Sequence, residues 1–205
     1  MKIGGLIKTS LIDYPNKVSA VIFTQGCNFR CPYCHNPELV LPEQYSQLIS
    51  EEFVFDFLKK RKDVLDGVVI TGGEPTLQSD LVAFIRKVKA LGFSIKLDTN
   101  GSSPDVISSL LKDDLIDFIA MDIKTLLDKY NEVAGINCDM SEIKRSIDII
   151  KASNIDYEFR TTLVPILISE NDIQKIKVEL NDDKRYRIQP FVKVKKLVDT
   201  QKFTD

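Results

Sequence analysis

The chain has 205 residues, of which 43% are hydrophobic and 28% charged, a mixture that suits one globular domain with a substantial core. The formal net charge is −2 and acids and bases are interspersed, so no basic face indicates nucleic acid or a membrane surface. The opening MKIGGLIKTSLIDYP lacks the apolar stretch of a signal peptide, and no apolar run approaches the roughly 20 residues that span a bilayer. We therefore expect a cytoplasmic protein with reduced thiols.

Short apolar runs alternate with amphipathic stretches along the chain. Ser50 is expected to cap the first helix, Ser79 the second, and Ser103-Pro104 opens a third in the cap-plus-first-turn arrangement. Isoleucines at helical spacing indicate two later helices, around residues 143–150 and 173–180. Six apolar runs are typical of buried strands: residues 19–25, 67–73, 93–101, 117–124, 156–165 and 185–191.

Strands that alternate with helices imply a parallel sheet with right-handed crossovers. Six units fall short of a closed eight-unit barrel, which typically needs about 250 residues. We therefore expect a single α/β domain built as a partial (β/α)6 open barrel, with a flavodoxin-like open sheet as the second choice. Residues 1–17 would be a short N-terminal extension, residues 18–191 the six βα units, and residues 192–205 a C-terminal tail.

Three of the four cysteines, Cys27, Cys31 and Cys34, lie close together directly after the first predicted strand. That position is at the C-terminal edge of the sheet, where α/β folds place their chemistry. Structural zinc takes four closed ligands, and a four-iron cluster usually takes four cysteines. Three local cysteines would leave one iron of a cluster open to a substrate or cofactor. A zinc site stays an alternative, although His35 directly follows Cys34 and Cys138 lies far away in a polar loop.

The spacing C-x-x-x-C-x-x-C, with Tyr33 before the last cysteine, resembles the signature of the radical S-adenosylmethionine (SAM) enzymes. The resemblance implies a [4Fe–4S] cluster on Cys27, Cys31 and Cys34, with the amino and carboxylate groups of SAM on the fourth iron. Reductive cleavage of SAM would then release methionine and a 5′-deoxyadenosyl radical that abstracts a hydrogen atom. Tyr33 would lie near the adenine.

The second predicted strand ends in TGGEP, residues 71–75. Gly72 and Gly73 remove side chains where backbone must approach a ligand, and Glu74 can accept hydrogen bonds from an ammonium group. A plain strand-to-helix turn would use the same residues. Because the motif also resembles the radical SAM segment that holds the methionyl amino group, these three residues are expected to bind SAM.

The next two strands end in LDTNG and MDIK, which resemble segments of the pyruvate formate-lyase activating enzyme and its relatives. The resemblance implies that Asp98, Thr99 and Asp122 hold a monovalent cation beside the SAM carboxylate, and that Lys124 contacts SAM. The alternative is structural, since Asp-Thr-Asn-Gly is also good turn chemistry.

The last two strands each carry one further candidate. Arg160, in FRTTLVP, has a counterpart near SAM in those activating enzymes, although a buried ion pair with Asp or Glu is an equal alternative. Gln189, in RIQPF, is expected to contact the adenine or the ribose.

The segment CPYCHNPELV resembles glycyl-radical activating enzymes in its Cys-His-Asn continuation. The segments SLIDYP, DFIAMDIKTLLDKY and RTTLVP resemble the activating proteins of anaerobic ribonucleoside-triphosphate reductases, and the resemblance runs over roughly residues 3–192. The resemblance implies an enzyme that generates a glycyl radical on a partner protein and receives its electron from a flavodoxin- or ferredoxin-type donor. So short a half-barrel has no domain to close its pocket, which the partner would then do. The alternatives are a small-molecule enzyme of the 7-carboxy-7-deazaguanine synthase type and a zinc-stabilised α/β binding module.

Overall fold

The computed structural model describes residues 1–181 and 183–203, organised by one seven-stranded sheet. The strands are β1 (Ile3–Ser10), β2 (Ser19–Thr24), β3 (Gly67–Gly72), β4 (Ser94–Thr99), β5 (Phe118–Asp122), β6 (Asp156–Leu163) and β7 (Tyr186–Pro190). They lie side by side in chain order; β2 to β7 are parallel, and β1 is antiparallel to β2. Across the described residues β1 and β7 do not pair with each other, so the barrel is open.

Helices connect the parallel strands, which confirms the expected partial (β/α)6 barrel. They are α1 (Pro37–Val40), α2 (Glu51–Lys60), α3 (Leu81–Ala90), α4 (Pro104–Lys112), α5 (Tyr130–Ala134), α6 (Met140–Lys151) and α7 (Glu170–Glu179). No helix within residues 1–181 and 183–203 combines the length and the apolar character that crossing a membrane would require.

The N-terminal residues do more than extend the chain, because residues 3–10 of the expected extension form β1. The segment IGGLIKTS is a weak strand candidate by sequence, because it contains two glycines and because residues 7–9 are exposed. Pairing with β2 compensates, with Ile3 opposite Thr24 and Ser10 opposite Ser19. A neighbouring strand thus decides the conformation here.

The helix starts agree with the sequence at two of three places. The Ser50 side chain accepts a hydrogen bond from the backbone N–H of Phe53, and Pro104 occupies the first turn of α4. The expected cap at Ser79 is wrong: α3 begins one residue later, and Asp80 stands at its N-cap without a side-chain capping bond. The Asp80 carboxylate instead contacts the N-terminal ammonium of Met1.

The inside of the barrel has an apolar lower half. Tyr14, from the β1–β2 connection, packs with Val21 and Val69 in a small cluster of its own, and Phe118 lies against it. The main core lies on the opposite face of the sheet, between the strands and the helices. Because the lower half is filled, open space inside the barrel is confined to the C-terminal ends of the strands.

The C-terminal segment, residues 191–203, packs against the loop that contains the clustered cysteines. The backbone N–H of Val198 donates to the carbonyl of Cys34 (3.3 Å), and that of Asp199 donates to the carbonyl of Pro32 (3.0 Å). Leu197 is 5% exposed and anchors the segment.

Aromatic contacts extend this anchor. The rings of His35 and Phe191 lie 5.7 Å apart, and those of Phe191 and Phe203 lie 5.4 Å apart. The segment expected to be a simple tail therefore supports the outer side of the cysteine loop.

We predict that Leu197→Ser detaches this segment while the barrel stays folded. Loss of a buried leucine costs about 2–5 kcal/mol, and Leu197 is the one buried side chain among residues 191–203. Hydrogen exchange at the N–H groups of Val198 and Asp199 should accelerate by at least about tenfold. The matched control is Val192→Ser, since Val192 is 60% exposed in the same segment. Unchanged exchange in Leu197→Ser would show that the anchor lies elsewhere.

Candidate active site

A cavity of about 230 Å³ opens at the C-terminal ends of the parallel strands. Nearly all residues predicted from the sequence line it, although they come from five different loops and strands. They are Cys27, Cys31, Tyr33, Cys34, Gly72, Gly73, Glu74, Asp98, Thr99, Asp122, Lys124 and Arg160. The fold therefore brings separate sequence motifs together around one space.

The three clustered thiols lie in the cysteine loop, defined here as residues 25–36, and water has little access to them. Burial raises the pKa of Cys27 to about 12 and that of Cys31 to about 11, and it also raises the pKa of Cys34. Thiolates at these positions therefore need a strongly cationic centre beside them, as iron would provide. Within the described residues, no three or more His, Cys, Asp or Glu side chains are placed to hold a single metal ion, as closed zinc sites require.

Backbone and guanidinium hydrogen bonds fix the first half of the cysteine loop. The Arg30 guanidinium donates to the carbonyls of Cys27 (2.7 Å) and Phe29 (2.8 Å). The backbone N–H of Arg30 donates to the carbonyl of Ala134, at the end of α5 (2.8 Å). The cysteines are thus positioned by contacts that leave their thiols turned to the cavity.

The two glycines of the TGGEP motif give the backbone room to approach the cysteine loop. Gly72 has a φ of 119°, and a Cβ on Gly73 would lie 2.1 Å from the carbonyl oxygen of Gly26. The N–H of Gly73 donates to Thr24 O, and that of Glu74 donates to Gly26 O, both at 2.8 Å. The close approach expected to a ligand is thus also an approach to neighbouring backbone.

The Glu74 carboxylate is buried and accepts four hydrogen bonds. Oε1 accepts from the backbone N–H of Thr76 (3.1 Å), the Thr76 hydroxyl (2.6 Å) and the Thr99 hydroxyl (2.7 Å). Oε2 accepts only from the N–H of Asn100 (2.7 Å). Burial raises the pKa of Glu74 and these donors oppose the rise. Since a carboxylate has about four acceptor positions over two oxygens, Oε2 keeps room for one more donor.

Two aspartates and three basic side chains form a charged row inside the barrel. Asp98 accepts from Lys96 (2.5 Å, Oδ1) and from Arg160 (3.3 Å, Oδ2). Asp122 accepts from Arg160 (2.9 Å, Oδ1) and from Lys124 (3.1 Å, Oδ2). Arg160 therefore bridges the two carboxylates, as the ion-pair alternative for Arg160 expected.

The row is nearly balanced in charge. Glu158 adds a third carboxylate, 3.8 Å from Arg160. Burial raises the pKa of Asp122, but Lys124 and Arg160 outweigh it and bring that pKa to about 2. Burial likewise lowers the pKa of Lys124, and Asp122 reverses the effect and raises it. Every carboxylate oxygen of Asp98 and Asp122 already has a basic partner in this row.

Sequence reasoning missed three polar residues that organise the site. Lys96 is 2% exposed and neutralises Asp98 from two residues away on β4. Asn100 donates to Asn28 (2.9 Å), and Asn28 donates to Ser102 (2.9 Å), which ties the cysteine loop to the DTNG loop. The signal for Lys96 was its alternation with Asp98, which places both side chains on one face of the strand.

Two singled-out residues lie outside the cavity. Gln189 is exposed; its strand neighbour Thr162 lines the cavity, but Gln189 itself does not. Cys138 is half-buried, its backbone N–H donates to Asn131 (2.8 Å), and it is not part of the cavity wall. The structure thus assembles three cysteines, not four, around the space.

Comparison with known proteins agrees with this arrangement. The family model described as the radical SAM superfamily matches residues 21–178. A Methanocaldococcus jannaschii protein, named for glycyl-radical enzyme activation, is 45% identical over 195 residues, covering 92% of this chain and 79% of that protein. The pyruvate formate-lyase-activating enzyme of Clostridium pasteurianum is 31% identical over 185 residues, covering 85% and 74%.

Solved structures show the same fold at low sequence identity. TYW1 with a lysine-pyruvate adduct bound is 21% identical with a TM-score of 0.63, over 87% of this chain and 66% of that one. The structure of anSMEcpe with bound AdoMet is 18% identical with a TM-score of 0.58, over 82% and 49%. This chain therefore spans about half to two thirds of those proteins. Taken with the cavity and its three cysteines, the matches show that the chain belongs to the radical SAM superfamily and has glycyl-radical enzyme activating enzymes as relatives.

Proposed function

We propose that this protein cleaves SAM at a [4Fe–4S] cluster and thereby generates a glycyl radical on an anaerobic ribonucleoside-triphosphate reductase. One observation carries the proposal: one buried and two half-buried thiols lie around a cavity that also has charged side chains in its wall and contains no fourth cysteine among the described residues. The relatives named for glycyl-radical enzyme activation support the reaction. Family membership also removes the zinc-stabilised binding module as an alternative.

Cys27, Cys31 and Cys34 would hold the cluster. The thiols fit it, because iron supplies the positive charge that their burial demands. When bound, the cluster would supply the electron that cleaves SAM to give the hydrogen-abstracting radical. The chain's own contribution is to keep three thiolates in place and to exclude water from them.

The cavity wall offers SAM both an anion and cations. Glu74 Oε2, with its remaining acceptor position, would accept from the methionyl ammonium. Lys124 and Arg160 would donate to the carboxylate, for which Lys124 would exchange its contact with Asp122. Tyr33 lines the same cavity and would lie against the adenine. Gln189, exposed on β7, would reach the nucleoside from the open edge only after a change of position.

A monovalent cation would form part of the same site. Asp98, Thr99 and Asp122 all line the cavity, and the Thr99 hydroxyl donates a hydrogen bond to Glu74. The aspartate oxygens bind Lys96, Lys124 and Arg160, so a cation would have to replace one of these contacts. We therefore tie the cation to SAM: it would bind when Lys124 leaves Asp122 for the SAM carboxylate.

A protein substrate suits the open barrel. The cavity opens at the strand ends, and β1 and β7 leave the side of the barrel uncovered across the described residues. A glycine-bearing loop of the partner would enter this opening and close the site against water. The choice of an anaerobic ribonucleoside-triphosphate reductase as partner depends on the resemblance of SLIDYP, DFIAMDIKTLLDKY and RTTLVP to its activating proteins.

Replacement of Cys27, Cys31 or Cys34 by alanine should abolish SAM cleavage, because each removes one of only three cluster ligands. The measurement is methionine and 5′-deoxyadenosine formation by anaerobically reconstituted protein with a chemical reductant. Cys138→Ala is the matched control and should keep nearly full activity, since Cys138 lies outside the cavity. Complete loss in Cys138→Ala would contradict the proposed ligand set.

Asp98→Ala and Asp122→Ala should each weaken SAM binding by about tenfold or more, since hydrogen bonds to charged groups contribute about 1.5–3 kcal/mol. Calorimetric titration of the cluster-loaded protein measures the affinity, and thermal melting measures folding. Asp113→Ala is the control, because Asp113 pairs with Arg86 (2.6 Å) on the surface. Wild-type SAM affinity in both cavity variants would remove the aspartates from the site.

The cation has its own measurement within the same titrations. Replacement of K⁺ and Na⁺ by a bulky organic cation should weaken SAM binding to the wild type but not to Asp122→Ala. Equal affinity of the wild type in both buffers would refute the cation while leaving the SAM contacts intact.

Mixing the reduced protein with SAM and an anaerobic ribonucleoside-triphosphate reductase should produce a glycyl radical doublet in electron paramagnetic resonance. The control reductase carries alanine in place of its radical-bearing glycine and should give no doublet. A doublet on a different glycyl-radical enzyme, with none on the reductase, would retain the chemistry and replace the partner.

A further inference from the structure

The C-terminal segment (residues 191–203) lies beside the cluster ligands but outside the cavity. It binds the backbone of Pro32 and Cys34 on the outer side of the cysteine loop. The cavity wall contains no residue of this segment among those described. The cysteine loop thus has two faces: one turned to the SAM cavity and one covered by the C-terminal segment.

The same end of the chain is strongly cationic. Residues 183–203 contain seven lysines and arginines and two aspartates, in a chain whose overall net charge is −2. All seven basic side chains are exposed. This concentration of positive charge contrasts with the interspersed charges elsewhere and creates a local field at the surface.

Lys195 and Lys196 belong to this surface and lie next to the anchor of the C-terminal segment. They directly precede the buried anchor Leu197, and consecutive Cα atoms are about 3.8 Å apart, so Lys196 lies within about 8 Å of Val198. Val198 itself bonds to Cys34. Within residues 1–181 and 183–203, neither lysine forms an ion pair with a carboxylate. Their charges therefore remain available to a partner.

We propose that Lys195 and Lys196 form the docking surface for an acidic one-electron carrier protein. The inference rests on the proposed function, which requires an electron at the cluster. One electron would pass from the carrier's reduced flavin or iron–sulfur group to the cluster, so that the carrier is oxidised and the cluster reduced by the same single electron.

The position of the segment favours an electron carrier over the glycyl-radical partner. A carrier at this surface lies behind the cysteine loop and delivers its electron without entering the SAM cavity. The partner's glycine must instead enter the cavity, on the other face of the loop. The two proteins thus need different faces of the cysteine loop, and Lys195 and Lys196 belong to the segment that covers the outer face. Weak, electrostatically guided docking is also typical of electron-transfer complexes.

The test is the double variant Lys195→Glu/Lys196→Glu in the cluster-loaded full chain. Stopped-flow bleaching of the cluster absorbance, without SAM, measures reduction by an acidic flavodoxin in its fully reduced form. We expect at least about a tenfold slower reduction at low salt, because charge steering changes association rates by about 10- to 1000-fold. The difference should shrink at 1 M salt, where the Debye length is about 3 Å.

Two controls isolate the surface. Lys60→Glu/Lys62→Glu makes the same charge change at the C-terminal end of α2, before β3 begins and therefore at the opposite end of the strands. The flavodoxin should reduce this variant as fast as the wild type. A photoreduced deazaflavin, a small reductant without a docking surface, should reduce all three proteins equally. Melting temperatures of the variants verify that the C-terminal segment stays folded.

Equal flavodoxin rates in Lys195→Glu/Lys196→Glu and the wild type would overturn the proposal, as would equal slowing in the control pair. Loss of glycyl radical formation with deazaflavin as reductant would assign the lysines to the radical-accepting partner instead, which also overturns it. Bleaching is read without SAM, so failure of the reduced wild type to cleave SAM would contradict the proposed function alone.

Discussion

Glu74 places a carboxylate almost fully out of water at the point where three loops meet. An unpaired charge there would be far too costly, and hydrogen bonds from Thr76, Thr99 and Asn100 offset that cost. The neighbouring backbone of residues 73–74 bonds to residues 24–26 at the start of the cysteine loop. The hydrogen bonds that Glu74 accepts therefore also hold the loops after β3 and β4 together beside the cysteine loop.

The interior of the barrel is divided by polarity. Tyr14, Val21 and Val69 fill its lower half, and directly above them Lys96 contacts both the Phe118 ring and Asp98. A lysine with its stem among apolar groups and its ammonium on a carboxylate marks the boundary between the two halves. Above it Glu74, Asp98, Asp122, Lys124 and Arg160 line the open space together with the apolar groups Phe29 and Val40. A zwitterionic ligand such as the methionyl end of SAM would therefore find both signs of charge within one cavity.

The sequence predicted the parallel units and the shared edge well, because apolar runs, caps and parallel topology follow local rules. It missed β1, since pairing with β2 and not its own residues decides that strand. It placed Gln189 with the cavity residues, whereas β7 stands at the open edge and leaves that side chain exposed. It offered an ion pair between Arg160 and an unnamed Asp or Glu, and the register of β5 against β6 is what makes Asp122 a partner. Motifs thus identify which residues share an edge, but tertiary pairing decides what each of them contacts.

The cysteine loop is supported by two other parts of the chain. A buried cluster needs protection on every side, yet its substrate, its electron and its protein partner must all reach it. The backbone N–H groups of Gly73 and Glu74 hold one end of the loop through hydrogen bonds to Thr24 and Gly26. The C-terminal segment covers the outer face of the loop, through Leu197 and two backbone hydrogen bonds. The remaining face opens to the cavity. Because these supports are mainly backbone contacts outside the cavity, the space at the C-terminal ends of the strands stays open.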